Sequence, residues 1–181
     1  MKTIQFKNLF LALSLLIVFL FTAAPFASAE NHETYNIKGV AFEIPLKLSS
    51  ANDAGLDAVS FFYPNNAESG KEKFEILLVF LNKEMIEAME MNEEELLQYV
   101  KTTYIGSAQE AEKKIERKAL GETVIGEWQM TDIPRNAVFE IYLIPLKDGS
   151  KLSAAFRTYE PMDQKESEKV IKAFFETLTE K

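Results

Sequence analysis

The segment from Phe74 to Leu81, FEILLVFL, is apolar on both faces when it is read as a strand. Side chains alternate across a pleated strand, so Phe74, Ile76, Leu78 and Phe80 point one way and Leu77, Val79 and Leu81 the other. Such a strand needs a packed layer above and below it, which puts it in the middle of a sheet. Ala137–Ile144 has the same property. Ala137, Phe139, Ile141 and Leu143 form one face, and Val138, Tyr142 and Ile144 supply most of the other. Two strands of this kind exclude a sheet with one wet face and call for helices, or other layers, on both sides.

The helices are available. Asn92 followed by Glu95 has the form of a capping box, in which both side chains satisfy amide donors at a helix start. Leu96, Leu97, Val100 and Tyr104 follow at helical spacing, and Asn82–Glu90 reads as a short helix or turn. Near the C-terminus, Asp163 can cap a helix that carries Val170, Ile171, Phe174, Phe175 and Leu178 on one stripe. Further strands are expected at Tyr35–Pro45, in two pieces around Lys38-Gly39, and at Ala58–Tyr63, stopped by Pro64. Asp148-Gly149 is a hairpin turn joining Val138–Leu146 to Lys151–Tyr159. Residues 30–34 read as a polar tail, and Ser49–Asp57, with Asn52, Asp53 and Gly55, as a loop. Residues 107–120 fit either helix or strand. The favoured reading is a loop or helical turn to about residue 113, then two antiparallel strands. The expected fold class is α+β: an antiparallel sheet flanked by helices on both faces, an α/β/α sandwich.

The first 29 residues read as an export signal. Lys2 and Lys7 give a basic start, Leu9–Phe21 an apolar run, and Ala27-Ser28-Ala29 a small-residue cleavage site before Glu30. The run is shorter than the roughly 20 apolar residues a membrane span requires. Cleavage after Ala29 is expected to release residues 30–181 as a single domain, extracytoplasmic (periplasmic or secreted). The released chain loses two lysines and no acid, so its net charge moves from −8 to −10. That charge, without a basic patch, argues against nucleic acid or an anionic membrane as partner. The absence of cysteine excludes a lipid-anchored cysteine, disulfides, thiol redox chemistry and iron–sulfur ligation. The domain must be held by burial alone, for which the chain's 14 phenylalanines provide the material.

The pieces GVAFEIP, FEILLVFL, GETVIGEW, IYLIPLKDGSKL and VIKAFFETL span most of residues 30–181 in that order. In their order they resemble the PsbP-like and DcrB-like extracytoplasmic proteins. The resemblance implies the same sandwich and a non-catalytic accessory role, and it assigns no site residue.

Candidate chemistry is sparse. His32 is the chain's one histidine and falls in the polar tail, so no histidine triad or multi-histidine metal site can be built. There is no nucleophile elbow and no phosphate-cradling glycine loop, and no cofactor is implied. Met85, Met89 and Met91 are candidate thioether ligands for Cu(I), set against the commoner use of methionine as core filler. Glu87, Glu90, Glu93, Glu94 and Glu95 read as a solvated helix face, and Asn52–Asp57 as turn chemistry rather than a calcium loop. Trp128 with Tyr99, Tyr104 and Tyr142 could line a ligand groove, packing being the alternative. The expected function is a non-enzymatic accessory protein that binds a protein or peptide partner in the cell envelope. The alternative is a carrier of a small ligand or metal there. Oligomeric state is not legible.

Overall fold

A computed structural model describes residues 32–52, 57–66, 70–106, 110–131, 136–160 and 162–181. The leader and its processing residues Ala27, Ala29 and Glu30 lie outside these, as do residues 53–56 of the turn-forming stretch and 107–109 of the ambiguous segment. In chain order the strands β1 (Glu33–Ile37), β2 (Val40–Ile44), β3 (Ser49–Asn52), β4 (Ala58–Tyr63) and β5 (Phe74–Leu81) come first. Helices α1 (Lys83–Met89) and α2 (Glu93–Val100) follow, α2 running into a π-helical turn at Lys101–Ile105. Then come β6 (Lys113–Ala119), β7 (Glu122–Thr131), β8 (Ala137–Pro145), β9 (Lys151–Tyr159), α3 (Gln164–Thr177) and β10 (Thr179–Glu180).

Seven strands form one antiparallel sheet in the order β3-β4-β5-β9-β8-β7-β6. The doubly apolar β5 and β8 both lie inside it, as their patterns require. Phe74, Ile76, Leu78, Tyr142 and Ile144 enter one core cluster with Val170, Ile171, Phe174 and Phe175 of α3 and with Phe42 of β2. Val79, Leu81, Phe139 and Ile141 enter a second cluster on the other face with Leu96 and Val100 of α2. One face is therefore covered by α3 and the small sheet β1-β2-β10, and the opposite face by α1, α2 and the π-turn. This is the expected α+β sandwich with both faces of its sheet covered.

The local signals act as expected. Asn92 accepts from the Glu94 and Glu95 amides while Glu95 accepts from the Asn92 amide, the two halves of a capping box. Asp163 accepts from the Lys165 amide at the start of α3. The ambiguous stretch resolves as two antiparallel strands, β6 and β7, joined by Leu120-Gly121. Both residues have positive φ (52° and 87°), the two-residue turn whose twist suits a hairpin.

Three expectations are corrected. Ser49–Asn52 is not loop but edge strand β3, paired from Ser49↔Phe62 to Asn52↔Val59. An edge strand is recruited through its backbone and needs no apolar alternation. The polar tail ends earlier than its composition suggests, because Glu33 and Thr34 pair with Ile44 and Glu43 in β1. The helix expected to run on to Tyr104 gives way after Val100 to the π-turn closed by the Gly106 amide on Lys101 O, from which Tyr104 still packs on the cluster of Leu96 and Val100. Among the described residues, no helix is long and apolar enough to cross a membrane.

Candidate functional site

Four side chains make a row across β6, β7, β8 and β9. The registers Lys113↔Trp128, Trp128↔Glu140 and Glu140↔Phe156 align them on the α3 face of the sheet. The first turns of α3, from Gln164 to Ile171, form the opposite wall. The result is an open cleft of about 330 Å³ with mixed apolar and polar walls. Lys113 holds its Nζ 4.6 Å from the centre of the Trp128 ring, within reach of a cation–π attraction.

Behind the cleft lies a buried polar network centred on Arg117. Its Nη1 and Nη2 donate to the two oxygens of Glu168 at 2.6 and 2.8 Å, a bidentate pair, and Nη2 also donates to Glu140 Oε2 at 2.9 Å. Its Nε donates to the Tyr142 hydroxyl at 3.1 Å, and that hydroxyl donates to Glu140 Oε2 at 2.5 Å. Burial works against the guanidinium charge, but the bonds to Glu168, Tyr142 and Glu140 outweigh it and raise the Arg117 pKa. Burial, reinforced by the Glu140 carboxylate, raises that of Tyr142, so the hydroxyl stays protonated and donating. The hydrogen bonds from Arg117 lower that of Glu168. Both carboxylates facing the cleft are thus held by one guanidinium.

The Glu168 shift makes a pH prediction. A carboxylate with a lowered folded pKa contributes stability above its unfolded value, near 4.3, and loses it as pH falls through the folded one. Glu168→Gln should flatten the acid limb of the stability–pH curve below about pH 4.3. The effect at neutral pH should be modest because the side chain is half exposed. Urea unfolding across pH 2.5 to 7 measures it, and identical acid limbs would refute the assignment.

A second groove, about 360 Å³, lies on the opposite face between α2 and the strands β6 to β8. Leu97, Leu143 and Ile125 give it apolar walls, Glu93 and Glu94 an acidic rim, and Lys114 a cation. Ile125 is 56% exposed, one of two exposed large hydrophobics among the described residues. At its floor Lys101 donates to Glu127 Oε2 at 2.7 Å, and Gln129 Nε2 lies 3.4 Å from the same oxygen. At the β5–β9 end of this face, Arg157 and the Tyr159 hydroxyl both donate to Glu75 Oε2, at 2.9 and 3.1 Å.

The residues singled out in the sequence are dispersed. Met85, Met89 and Met91 are half-buried and packed on the second core cluster with Leu97 and Ile86. Trp128 lines the α3-side cleft with Tyr142 buried in the core of that face, whereas Tyr99 and Tyr104 pack on the other face. The four aromatics therefore do not share one groove, because Tyr99 and Tyr104 belong to the helix and π-turn that cover the face opposite to Trp128 and Tyr142. His32 is exposed, and so are Glu87, Glu90, Glu93, Glu94 and Glu95. Among the described residues, no three His, Asp or Glu side chains converge as a metal site. Arg117, Glu140, Lys101, Glu127 and Ile125 escaped sequence reading. Glu140, an acid inside a doubly apolar strand, was the one visible signal.

These features define an α/β/α sandwich with a cleft on either face of its main sheet. No protein-family profile and no curated protein matches the chain. Solved structures do match. The Ran-binding protein Mog1p of Saccharomyces cerevisiae aligns with a TM-score of 0.53 at 10% identity, over 82% of this chain and 95% of that one. A point mutant of protein Mog1 gives 0.54 at 12% identity over the same shares. At such identity the likeness shows the fold alone. It corrects the resemblance to PsbP-like and DcrB-like proteins, since the fold match is to Mog1 chains and no family profile assigns this chain to either group. The quoted segments are the strands and last helix that this element order requires, so they report architecture rather than lineage.

Proposed function

We propose that this chain is an exported accessory protein that acts by binding a protein partner, not by catalysis, and that the groove beside α2 is its docking surface. The exposure of Ile125 carries this reading. A large aliphatic side chain standing 56% exposed beside Leu97 and Leu143, at the edge of a groove with an acidic rim, is a feature that a partner can cover. The surroundings define the partner's chemistry. Glu84, Glu87, Glu90, Glu93, Glu94 and Glu95 are all exposed along α1 and α2, so the complementary surface offers an apolar side chain flanked by lysine or arginine. Mog1p of Saccharomyces cerevisiae, a solved chain that shares the fold, is a Ran-binding protein, which supports a protein-binding use of such a sandwich. The basic, apolar and small-residue order of residues 1–29 supports export.

The test is capture from the envelope fraction of the native host with the tagged full-length chain, beside Ile125→Asp and Glu94→Lys. Both positions are exposed, so the variants should keep the wild-type Tm. The expected result is a stoichiometric partner with a basic surface, lost at least tenfold in both variants and weakened by salt. A partner retained equally by both, or no stoichiometric partner, overturns the reading. N-terminal sequencing of the captured chain should begin at Glu30; an intact Met1 would refute export with processing.

A further inference from the structure

We infer that the Trp128 cleft is a binding site for a small organic anion with a flat apolar body, of the aromatic carboxylate class. The site lies on the face opposite the docking groove. Trp128 and Ile125 belong to the same strand β7 three positions apart, and strand alternation sends them to opposite sides of the sheet. The inference therefore stands or falls independently of the partner reading.

Size and lining argue for a small ligand. About 330 Å³ is at the lower end of the range for pockets that take small molecules, roughly 300 to 1,000 Å³. Trp128, Phe156, Val138 and Ile171 provide apolar and aromatic surface, against which a flat ring can stack.

Charge argues for an anion. Glu140 and Glu168 face the cleft, and Arg117 bonds to both, one guanidinium charge against two carboxylates, with Lys113 also acting on Glu168. The remaining charged groups of the lining are Lys113 and Lys165. With Arg117 counted, three cations stand in and behind the cleft against two carboxylates. This is a local reversal in a chain of net charge −8. Lys113 is already drawn over the indole ring. A carboxylate on a ring lying against the apolar wall beside Trp128 would draw that ammonium group from its contact with the indole into an ion pair. A cationic ligand would have to drive Lys113 off the ring and compete with Arg117 for both acids, so the anion is favoured.

Trp128 is the chain's one tryptophan, so its indole N–H gives a single resolvable NMR cross-peak inside the proposed site. The experiment titrates the purified ¹⁵N-labelled protein with benzoate, benzylammonium and acetate at matched pH and ionic strength. Benzoate should move the indole peak saturably with a Kd of about 1 mM or below, while the other two produce no saturable shift. Lys113→Gln, an exposed position, should keep the spectrum of the folded protein and weaken benzoate at least tenfold. Ile125→Asp should leave the titration unchanged. Saturable binding of benzylammonium as tight as that of benzoate would overturn the anion assignment. The absence of saturation by benzoate, or undiminished binding to Lys113→Gln, would overturn the site.

Discussion

Replacing Gly126 by alanine should destabilise the fold by about 3 kcal/mol or more, with a fall in Tm of roughly 10 °C. A Cβ built on Gly126 lies 2.1 Å from Cε1 of Tyr142 and 2.4 and 2.5 Å from Cδ1 and Cζ, far inside van der Waals contact. Gly126 has no positive φ, so close approach alone demands glycine here. The ring cannot swing aside. Tyr142 is fully buried, packed edge-on against Phe175 at 4.8 Å and Phe156 at 6.2 Å, with its hydroxyl bonded to Arg117 and Glu140. The added methyl must distort β7 or expel the ring, and expulsion also leaves Arg117 and Glu140 short of a bond. The missing side chain has a positive role as well. It lets Tyr142 of β8 lie across β7 and reach Arg117 of β6, two strands away. Urea unfolding of Gly126→Ala, Tyr142→Leu and the double variant tests this. If crowding is the cause, the alanine should cost at least about 1 kcal/mol less when Tyr142 is already leucine. Strict additivity, or a loss below 1 kcal/mol in the single alanine variant, would sink the explanation.

That network also marks the limit of what the sequence discloses. β5 and β8 were legible because a strand apolar on both faces has only one kind of place to go, and Asn92, Glu95 and Asp163 because caps are local chemistry. β3 was not, since Ser49–Asn52 joins the sheet through its backbone while its side chains carry no alternation. The π-turn was not, because Tyr104 sits four residues after Val100 and mimics one more helical turn. Glu140 announces itself as an acid in an apolar strand. Naming Arg117 as its partner, however, requires the β6–β7–β8 register and the gap left by Gly126, and both are tertiary facts. For Trp128, alternation gives the face but cannot say that the first turns of α3 make the other wall of its cleft. The element order indicated the architecture, which the fold match to Mog1 chains supports, but it does not assign a family, because one packing arrangement serves many sequences.

Glu127→Leu should cost about 3 to 5 kcal/mol, whereas Lys101→Met combined with Glu127→Leu should return to within about 1 kcal/mol of the wild type. Lys101 extends from the π-turn into the sheet with 1% of its side chain exposed and meets Glu127, itself 11% exposed, at 2.7 Å. Both charges were taken out of water, and their attraction offsets a desolvation penalty of several kcal/mol per ion. Deleting the carboxylate alone takes its 2.7 Å ion pair from a buried ammonium and sets new hydrocarbon beside that charge. Replacing both removes the penalty together with the attraction, and the methionine and leucine fill similar volumes. Urea unfolding at pH 7 distinguishes the cases. A double variant as unstable as Glu127→Leu would mean that the pair contributes net stability, contrary to this expectation. Because Glu127 also lines the groove beside Ile125, the double variant addresses why the pair is there. A protein of wild-type stability that captures its partner normally would reduce the pair to a packing solution. One that is equally stable but no longer captures it would place the Lys101–Glu127 pair in the binding surface, holding the floor of the groove in the shape the partner meets.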